Sequence, residues 1–388
     1  MSYRTLYKLL LERIPPEGAH TLASVTLRAV AGIPGIRPAM RRHAFPHDAV
    51  LQVHALGHAF PSPLGVAAGV DKQASWFEAL GALGFGFVEV GTVTALPQRG
   101  EPKPRVVRLP QQRALLNKMG FPNPGASAFA KRLHERTGKT IVGVNVGKSK
   151  FAPLDRAPAD YCATVRQIAP LADYIVLNIS SPNTPGLRQM QAVELLRPLL
   201  TEVQRELSAA NQRVPLLIKL SPDLGDHELD AIAELALERE LDGIVAVNTT
   251  VDRTGIVPSA PRSESLDGGG VSGPPLKARA LAVLERLYAR LGDELVLVSV
   301  GGIEDPDDAW ERIIAGATLI QAYTGFVYGG PAWPARVNHA LRQRVTEAGA
   351  ASIQELVGAA ARSRGSGSSS CTGSDSGAGS GSRSHVQA

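Results

Sequence analysis

The chain has 388 residues, of which 44% are hydrophobic and 20% are charged, and its formal net charge is +5. No apolar stretch is long enough to span a bilayer, and no secretory signal precedes the first predicted helix, so we expect a soluble or surface-bound globular protein. The positive charge suits anionic lipid, acidic small molecules or nucleic acid, and nucleic acid is the weakest of these because no basic stripe is interleaved with aromatic residues. Cys162 and Cys371 show neither metal-site nor disulfide spacing, which favours a reducing compartment.

Residues 1–45 differ in character from the rest of the chain. Two short helical patterns are separated by Pro15 and Pro16 and are closed by breakers that include Gly35 and Pro38. Both patterns are amphipathic with a basic bias, which is typical of helices that lie on an anionic membrane surface. Docking of both helices on the next domain is an equally good interpretation of the periodicity.

Short apolar runs then alternate with helical patterns eight times. Continuous β-branched runs separated by helices indicate parallel strands that are buried on both faces. Eight such runs predict a (β/α)8 TIM barrel over residues 46–347, with its active site at the carboxyl ends of the strands. The predicted strands are 64–67, 87–90, 141–144, 174–177, 216–218, 244–247, 296–300 and 319–322.

A polar or glycine cluster follows each predicted strand, so these clusters should converge on one mouth of the barrel. Two longer stretches, 92–122 and 250–272, interrupt the rhythm and are predicted to be loops that cover the mouth. Residues 348–388 form a C-terminal extension. From Ser363 this extension is rich in Gly and Ser, which predicts a disordered tail.

The most informative segment is residues 178–188, which directly follow a predicted buried strand. Its amides and hydroxyls stand on a backbone stiffened by Pro182 and Pro185, which suits a flat polar ligand with amide edges and a carboxylate. Ser181 is the candidate base or nucleophile, although serine needs activation in either role. A purely turn-closing role for Ser180 and Ser181 is the competing interpretation. No histidine is placed for a hydrolase triad, and the G-x-S-x-G elbow is absent.

Glycines on the last strands predict a phosphate-bearing cofactor. Gly273, Gly301 and Gly302, with Thr324-Gly325 after the last strand, can offer backbone N–H groups to a phosphate. The glycines from Gly81 to Gly86 precede a strand, and they indicate a helix C-cap and turn instead.

Two lysines could face anions. Lys219 ends a strand inside the barrel, where an unpaired ammonium is costly, so it should face an anion such as a reduced flavin. A structural salt bridge within the barrel is the alternative. Lys72 follows the first strand and would suit a substrate carboxylate, unless it is simply a solvated loop lysine.

Taken together, the motifs resemble those of the class 2, quinone-dependent dihydroorotate dehydrogenases over residues 1 to about 345. The matching segments, in order, are 67–72, 117–121, Asn145, 178–188, Lys219, 248–250, 270–273 and 301–303. The resemblance implies oxidation of (S)-dihydroorotate to orotate in pyrimidine (UMP) biosynthesis. FMN would accept the hydride and a membrane quinone would be the final electron acceptor.

The resemblance also implies roles for individual residues. Ser181 would be the base that removes the C5 proton while hydride passes from C6 to flavin N5. The implied FMN-contacting residues are Ala68, Gly69, Val70, Asp71, Lys72, Thr92, Asn145, Asn178, Lys219, Val247, Gly273, Gly302, Tyr323 and Thr324. The implied substrate-contacting residues are Lys72, Asn117, Lys118, Met119, Gly120, Phe121, Asn178, Asn183, Asn248 and Thr249. No metal is implied.

Serine at position 181 favours class 2, because class 1 enzymes resemble this fold but use a cysteine base. In class 2 the N-terminal helices form a hydrophobic quinone tunnel, and His20 and Arg108 match positions that line it. Taken alone, these two residues could be a helix-surface histidine and a solvated loop cation. The resemblance implies peripheral attachment to membrane lipid on the cytoplasmic face of a bacterial membrane. The alternatives are a class 1 enzyme, a dihydropyrimidine reductase, a phosphate-binding lyase or isomerase, and a catalytically silent barrel.

Overall fold

Eight parallel strands close into a barrel in this computed structural model. The structure describes residues 3, 5, 7, 11–45, 49–209, 213–256 and 267–368. The order around the barrel is β3, β4, β7, β8, β9, β10, β12 and β13, and β13 pairs with β3. All eight predicted strands are confirmed, with small shifts at their ends. The bounds are β3 Leu64–Val66, β4 Phe87–Val93, β7 Ile141–Gly147, β8 Tyr174–Asn178, β9 Leu216–Leu220, β10 Gly243–Ala246, β12 Val296–Val300 and β13 Leu319–Ala322.

Helices surround the barrel because each carries one apolar stripe that packs on the strands. In the helix Val193–Ser208, for example, the buried side chains Leu196, Leu199, Leu200, Val203 and Leu207 recur at helical spacing. The helices of this layer are α3 Phe77–Ala82, α4 Ala126–His134, α5 Ala157–Ile168, α6 Val193–Ser208, α7 Asp226–Glu238, α8 Lys277–Leu291, α9 Pro306–Ile314, α10 Thr324–Gly329 and α11 Trp333–Glu347. The turn predicted between Gly81 and Gly86 is confirmed, because α3 ends there and β4 follows.

The two long insertions meet above the barrel and form a small lid. Strands β5 (Val106–Leu109), β6 (Ala114–Asn117) and β11 (Gly270–Ser272) pair in an antiparallel sheet, with β6 in the centre. Its apolar side chains form a cluster of their own, apart from the main core. The insertions therefore cover the mouth as predicted, but strands replace part of the predicted loops. Residues 257–266 lie outside the described chain.

The N-terminal segment contains α1 (Pro16–Gly32) and α2 (Ile36–Ala44). The second predicted pattern is confirmed as α1, and most of the first lies outside the described residues. Pro38 does not break the chain as predicted. It lies in the first turn of α2, where a missing N–H breaks no helical hydrogen bond.

One side of the N-terminal segment docks on the lid. Glu17 pairs with Arg105 at 2.9 Å, and Arg108 Nη1 donates to the carbonyl oxygen of Ile14 at 2.7 Å. Leu22 and Val25 of α1 remain 49% and 55% exposed. Among the helices that the structure describes, none is long and apolar enough to cross a membrane.

The C-terminal extension packs against the end of the barrel opposite the lid. Gln354 exchanges hydrogen bonds with the backbone of His54, which lies in the hairpin of β1 (Val53–Ala55) and β2 (His58–Phe60). The last helix, α12, spans Ala359–Ser368. The disorder predicted from about Ser363 stays a prediction. Alanines favour helix at its start, and Arg362 donates to the carbonyl oxygen of Val357 at 2.6 Å. The rest of the predicted tail, 369–388, is outside the described residues.

Candidate active site

One cavity lies between the carboxyl ends of the barrel strands and the lid. Its empty volume is about 1270 Å³, part of which is open to solvent. This location is the usual place for the active site of a (β/α)8 barrel. The cavity wall contains most of the predicted ligand-contacting residues: Ala68, Gly69, Lys72, Thr92, Asn117, Met119, Gly120, Phe121, Asn178, Ser181, Asn183, Lys219, Val247, Asn248, Thr249, Gly273, Gly302, Tyr323 and Thr324.

Four predicted contact residues do not line this cavity. Val70 is buried, and the Asp71 carboxylate accepts hydrogen bonds from the backbone N–H groups of Ser75 and Trp76, each at 2.8 Å. Burial raises the pKa of Asp71, and these hydrogen bonds oppose that rise. The side chain is thus committed to holding its own loop.

The side chains of Lys118 and Asn145 are also engaged by other parts of the chain. Lys118 Nζ donates to the carbonyl oxygen of Asp267 at 2.7 Å, across the lid. Asn145 lies behind the wall, where it accepts a hydrogen bond from Thr92 Oγ1 at 2.5 Å and donates to Glu89 Oε1 at 2.7 Å. Its role in this structure is to orient residues that do line the cavity.

Asn178, the last residue of β8, is the centre of a hydrogen-bond network at the mouth. Its Nδ2 donates to Thr92 Oγ1 at 3.1 Å and to Asn145 Oδ1 at 3.0 Å. Its Oδ1 accepts from Asn248 Nδ2 at 3.3 Å, and its backbone oxygen accepts from the Tyr161 hydroxyl at 2.8 Å. Strands β4, β7 and β8 and the loop after β10 are therefore tied together through amide side chains, which fixes the wall before any ligand binds.

Ser181 lies beside this network and is only 4% exposed. Its Oγ accepts a hydrogen bond from the backbone N–H of Asn183 at 3.3 Å. This is a turn contact, so the turn-closing role and a chemical role are both compatible with the geometry. In the described part of the chain, Ser181 Oγ has no hydrogen bond to an imidazole or a carboxylate, and any proton must leave it by another route.

Two buried acceptors in the wall lack a partner. Asn183 Oδ1 and Gln321 Oε1 make no hydrogen bond, although both residues line the cavity. Leaving a buried acceptor unpaired costs about 1–3 kcal/mol. Asn183 Nδ2 and Gln321 Nε2 are already engaged, by Asn117 Oδ1 at 3.4 Å and Glu89 Oε2 at 2.6 Å. The free oxygens therefore suit N–H donors of a bound ligand.

The cavity also has cationic groups at two depths. Lys72 donates to the carbonyl oxygen of Gly69 in the wall, so it is not simply a solvated loop lysine. Lys219 lies deeper, 4% exposed, with its Nζ 3.7 Å from Glu89 Oε1. The barrel salt bridge that we considered for Lys219 is therefore present, and Lys219 still forms part of the cavity wall.

The glycines of the predicted phosphate cradle line the cavity beneath the lid. Gly273, Gly301 and Gly302 have φ angles of +103°, +114° and +78°, which residues with a side chain rarely adopt. Close to them, the hydroxyls of Ser272 and Thr324 are 2.8 Å apart. Glycine backbone and two hydroxyls give a set of donors suited to an anion.

The two predicted tunnel residues lie outside this cavity: His20 where the N-terminal segment meets the barrel, and Arg108 where that segment meets the lid. The His20 ring packs edge-on against Trp76 at 5.5 Å between centroids. Burial, with a contribution from the charge of Lys72, lowers the pKa of His20 to about 3. The Arg108 guanidinium lies 6.0 Å from the centre of the Tyr7 ring, so it is not a solvated loop cation.

Sequence reasoning missed several residues of the site. Arg113 and Glu304 form an ion pair in the cavity wall, and Glu89 and Gln321 lie inside the barrel. Glu89 had a usable signal, because a single carboxylate in the middle of an apolar strand must be paired. Arg113 had no such signal in the sequence, because it lies in an insertion whose path is set by pairing with a distant strand.

The fold and site define a (β/α)8 barrel enzyme with an amide-lined cavity under a two-segment lid. The model of the dihydroorotate dehydrogenase family matches residues 50–345, and the chain belongs to that family. The resemblance seen in the motifs is thereby confirmed.

Relatives named "dihydroorotate dehydrogenase (quinone)" include those of Thermobifida fusca and Mycobacterium tuberculosis. Each is 52% identical to this chain over 92% of it, covering 96% and 98% of the relative, respectively. The crystal structure of the Eimeria tenella enzyme in complex with ferulenol has a TM-score of 0.81 and 35% identity, over 92% of this chain and 98% of that one. The ligand-free form from the same organism has a TM-score of 0.77 and 34% identity, over 87% and 98%.

Proposed function

We propose that this protein oxidises (S)-dihydroorotate to orotate with FMN as hydride acceptor and passes the electrons to a membrane quinone, as a step of de novo pyrimidine synthesis. The observation that carries the proposal is the convergence of four asparagines, Asn117, Asn178, Asn183 and Asn248, on one cavity that also holds Ser181. A pyrimidine ring presents amide donors and acceptors along its edges, and amide side chains can pair with both.

The inner part of the cavity is the part lined by Lys219, Gln321 and the glycines near Gly273, and its residues fit FMN. The glycines and hydroxyls around Gly273 and Thr324 would hold the phosphate, and the unpaired Gln321 Oε1 would accept from a ring N–H. Lys219 would place a positive charge beside the ring system. When bound, FMN supplies a two-electron acceptor for hydride.

The outer residues would position the substrate. Asn183 Oδ1 would accept from a ring N–H, and Lys72 would pair with the carboxylate. Ser181 would take the proton from C5. The lid and the buried position of Ser181 limit access of bulk water, which strengthens the polar contacts made to the substrate.

The quinone and the membrane belong to the N-terminal segment in this proposal. The exposed Leu22 and Val25 of α1 would enter the lipid surface, and the quinone would reach the flavin between α1 and the barrel, past His20 and Arg108. The protein would be peripheral on the cytoplasmic face of a bacterial membrane. The N-terminal helices, the barrel and the C-terminal extension then correspond to 1–45, 46–347 and 348–388.

Anaerobic stopped-flow absorbance tests the proposal. The purified protein is mixed with dihydroorotate and then, in separate shots, with a quinone analogue, fumarate or NAD. We expect a flavin band that dihydroorotate bleaches and that only the quinone restores. Recovery with fumarate or NAD would indicate another dihydroorotate dehydrogenase class. A protein without a flavin band, or with one that dihydroorotate leaves unchanged, would refute the proposed reaction.

A further inference from the structure

We propose that Glu89 is the buried counter-charge of the cofactor site: it positions Lys219 and sets how strongly the site favours reduced over oxidised flavin. This inference rests on the proposed function, because it requires a flavin in the inner cavity.

Glu89 lies in the middle of β4 with no solvent exposure. Side chains from three other strands meet its carboxylate. Asn145 Nδ2 of β7 donates to Oε1 at 2.7 Å, Gln321 Nε2 of β13 donates to Oε2 at 2.6 Å, and Lys219 Nζ of β9 lies 3.7 Å from Oε1. One carboxylate inside the barrel thus contacts a residue of the cavity floor (Lys219), another residue of the wall (Gln321) and the residue that orients Thr92 (Asn145).

Stability alone is a poor explanation of this arrangement. A buried ion pair can usually be replaced by apolar side chains of similar volume without loss of stability. The Nζ–Oε1 distance of 3.7 Å is also longer than the roughly 2.7–2.9 Å of a charge-assisted hydrogen bond, so Glu89 holds Lys219 without occupying its donors. In the part of the chain that the structure describes, Lys219 makes no hydrogen bond. Its donors remain available to a ligand in the cavity.

Glu89 also fixes the direction of the free acceptor. Because Gln321 Nε2 donates to Glu89, the amide is oriented with Oε1 unpaired in a residue that lines the cavity. The same carboxylate therefore determines both the cation and the acceptor that a flavin would meet.

The charge balance leads to a measurable effect. With Glu89 ionised, the positive charge of Lys219 is largely compensated within the barrel. In Glu89→Gln the side-chain shape and one acceptor remain while the negative charge is lost. The site then becomes more positive and should bind an anionic reduced flavin more tightly relative to the oxidised form, by about tenfold. That change raises the two-electron midpoint potential by about 30 mV.

The experiment is an anaerobic redox titration of the flavin-loaded enzyme with a chemical reductant and indicator dyes. Four proteins are compared: the parent, Glu89→Gln, Lys219→Gln and the double variant. We expect Glu89→Gln to raise the potential, Lys219→Gln to lower it, and Glu89→Gln to raise it again in the Lys219→Gln background. Glu89→Asp, which keeps the charge but shortens the side chain, is the matched control for the charge and should change the potential much less than Glu89→Gln.

The outcomes separate the two proposals. An unchanged or lower potential in Glu89→Gln, or an equal change in Glu89→Asp, overturns the role of Glu89. If Glu89→Gln does not fold, the comparison of Lys219→Gln with the double variant still tests the role of Glu89, because these two proteins differ only by the charge at position 89. A bound flavin that dihydroorotate does not reduce refutes the proposed reaction but leaves the chemical titration valid. Absence of any bound flavin overturns both.

Discussion

The side chains of the barrel mouth and those of the N-terminal segment differ in whether they find partners within the chain. At the mouth, buried amides and hydroxyls pair with one another, and Asn178 alone contacts Thr92, Asn145 and Asn248. In α1, large aliphatic side chains stay about half exposed although the other side of the segment is docked. The polar groups of the mouth are therefore mostly paired within the chain, whereas the exposed aliphatic side chains of α1 are the ones that we propose to contact lipid.

The largest effect should come from Ser181→Ala at the mouth. Loss of a positioned proton acceptor reduces the rate by about 10²–10⁴. We expect that loss in the anaerobic bleaching of flavin by dihydroorotate, with flavin content unchanged.

Ser180→Ala is the matched control for that variant. The Ser180 hydroxyl is also buried; it accepts a hydrogen bond from Asn248 Nδ2 at 3.0 Å and donates one to Asn178 Oδ1 at 3.4 Å. Removing these two neutral hydrogen bonds costs about 1–2 kcal/mol, so the rate should fall about five- to thirtyfold. If Ser181→Ala lost no more than Ser180→Ala, Ser181 would be a turn residue only.

In the N-terminal segment, the double variant Leu22→Asp, Val25→Asp should weaken membrane binding without changing the mouth. Fully burying each aliphatic side chain in lipid is worth about 1.5–3 kcal/mol, so partial burial of two still predicts at least a tenfold loss. Co-sedimentation with vesicles that contain anionic lipid measures this loss. Leu195→Asp on α6 serves as the control, because Leu195 is 39% exposed but lies on the barrel. Equal binding by the double variant and the control would contradict a lipid-facing α1.

A smaller effect is expected where two loops of the mouth are joined. Asp223 Oδ2 accepts from Arg188 Nη2 at 2.8 Å and from the backbone N–H of Val251 at 3.1 Å. It thereby links the loop that carries Ser181 to the loop that carries Asn248. Asp223→Asn should raise the KM for dihydroorotate about fivefold, since a charged pair of this exposure is worth about 1 kcal/mol. Asp252→Asn, in the loop that carries Asn248, should leave KM unchanged, because the Asp252 carboxylate accepts from the N–H and hydroxyl of the nearby Thr254 and does not join two loops.

The same contrast explains what the sequence could predict. The barrel strands are continuous apolar runs, so they were found to within three residues, and the residues after them lie at the mouth by topology alone. The lid sheet was missed because β6 pairs with β11 from an insertion about 150 positions away, and neither strand has a clear alternating pattern. A motif fixes sequence position and not side-chain direction: the Asp71 carboxylate accepts from the backbone N–H of Trp76, and Lys118 Nζ donates to Asp267. The ligand contacts predicted for these two residues and for Val70 stay predictions.

An effect on stability, and not on turnover, is expected at His20, where the two regions meet. Its pKa of about 3 in the folded protein lies below the ordinary value of 6.5, so folding favours the neutral ring. The contribution of the neutral His20 ring to the free energy of unfolding is fully present above pH 6.5. It is lost as the pH falls from 6.5 towards 3, because the unfolded chain then binds a proton that the folded chain does not.

In His20→Gln that loss should disappear. Between pH 7.5 and pH 4.5 the free energy of unfolding of the parent should therefore fall by about 1–2 kcal/mol more than that of the variant, after allowance for partial solvent exposure. Urea unfolding at the two pH values measures the difference, and His227→Gln, at an exposed histidine of α7, should behave like the parent. A parallel fall in parent and His20→Gln would mean that α1 opens at low pH and hydrates the ring. The N-terminal segment would then be held to the barrel less firmly than its contacts with Trp76 and Arg105 indicate.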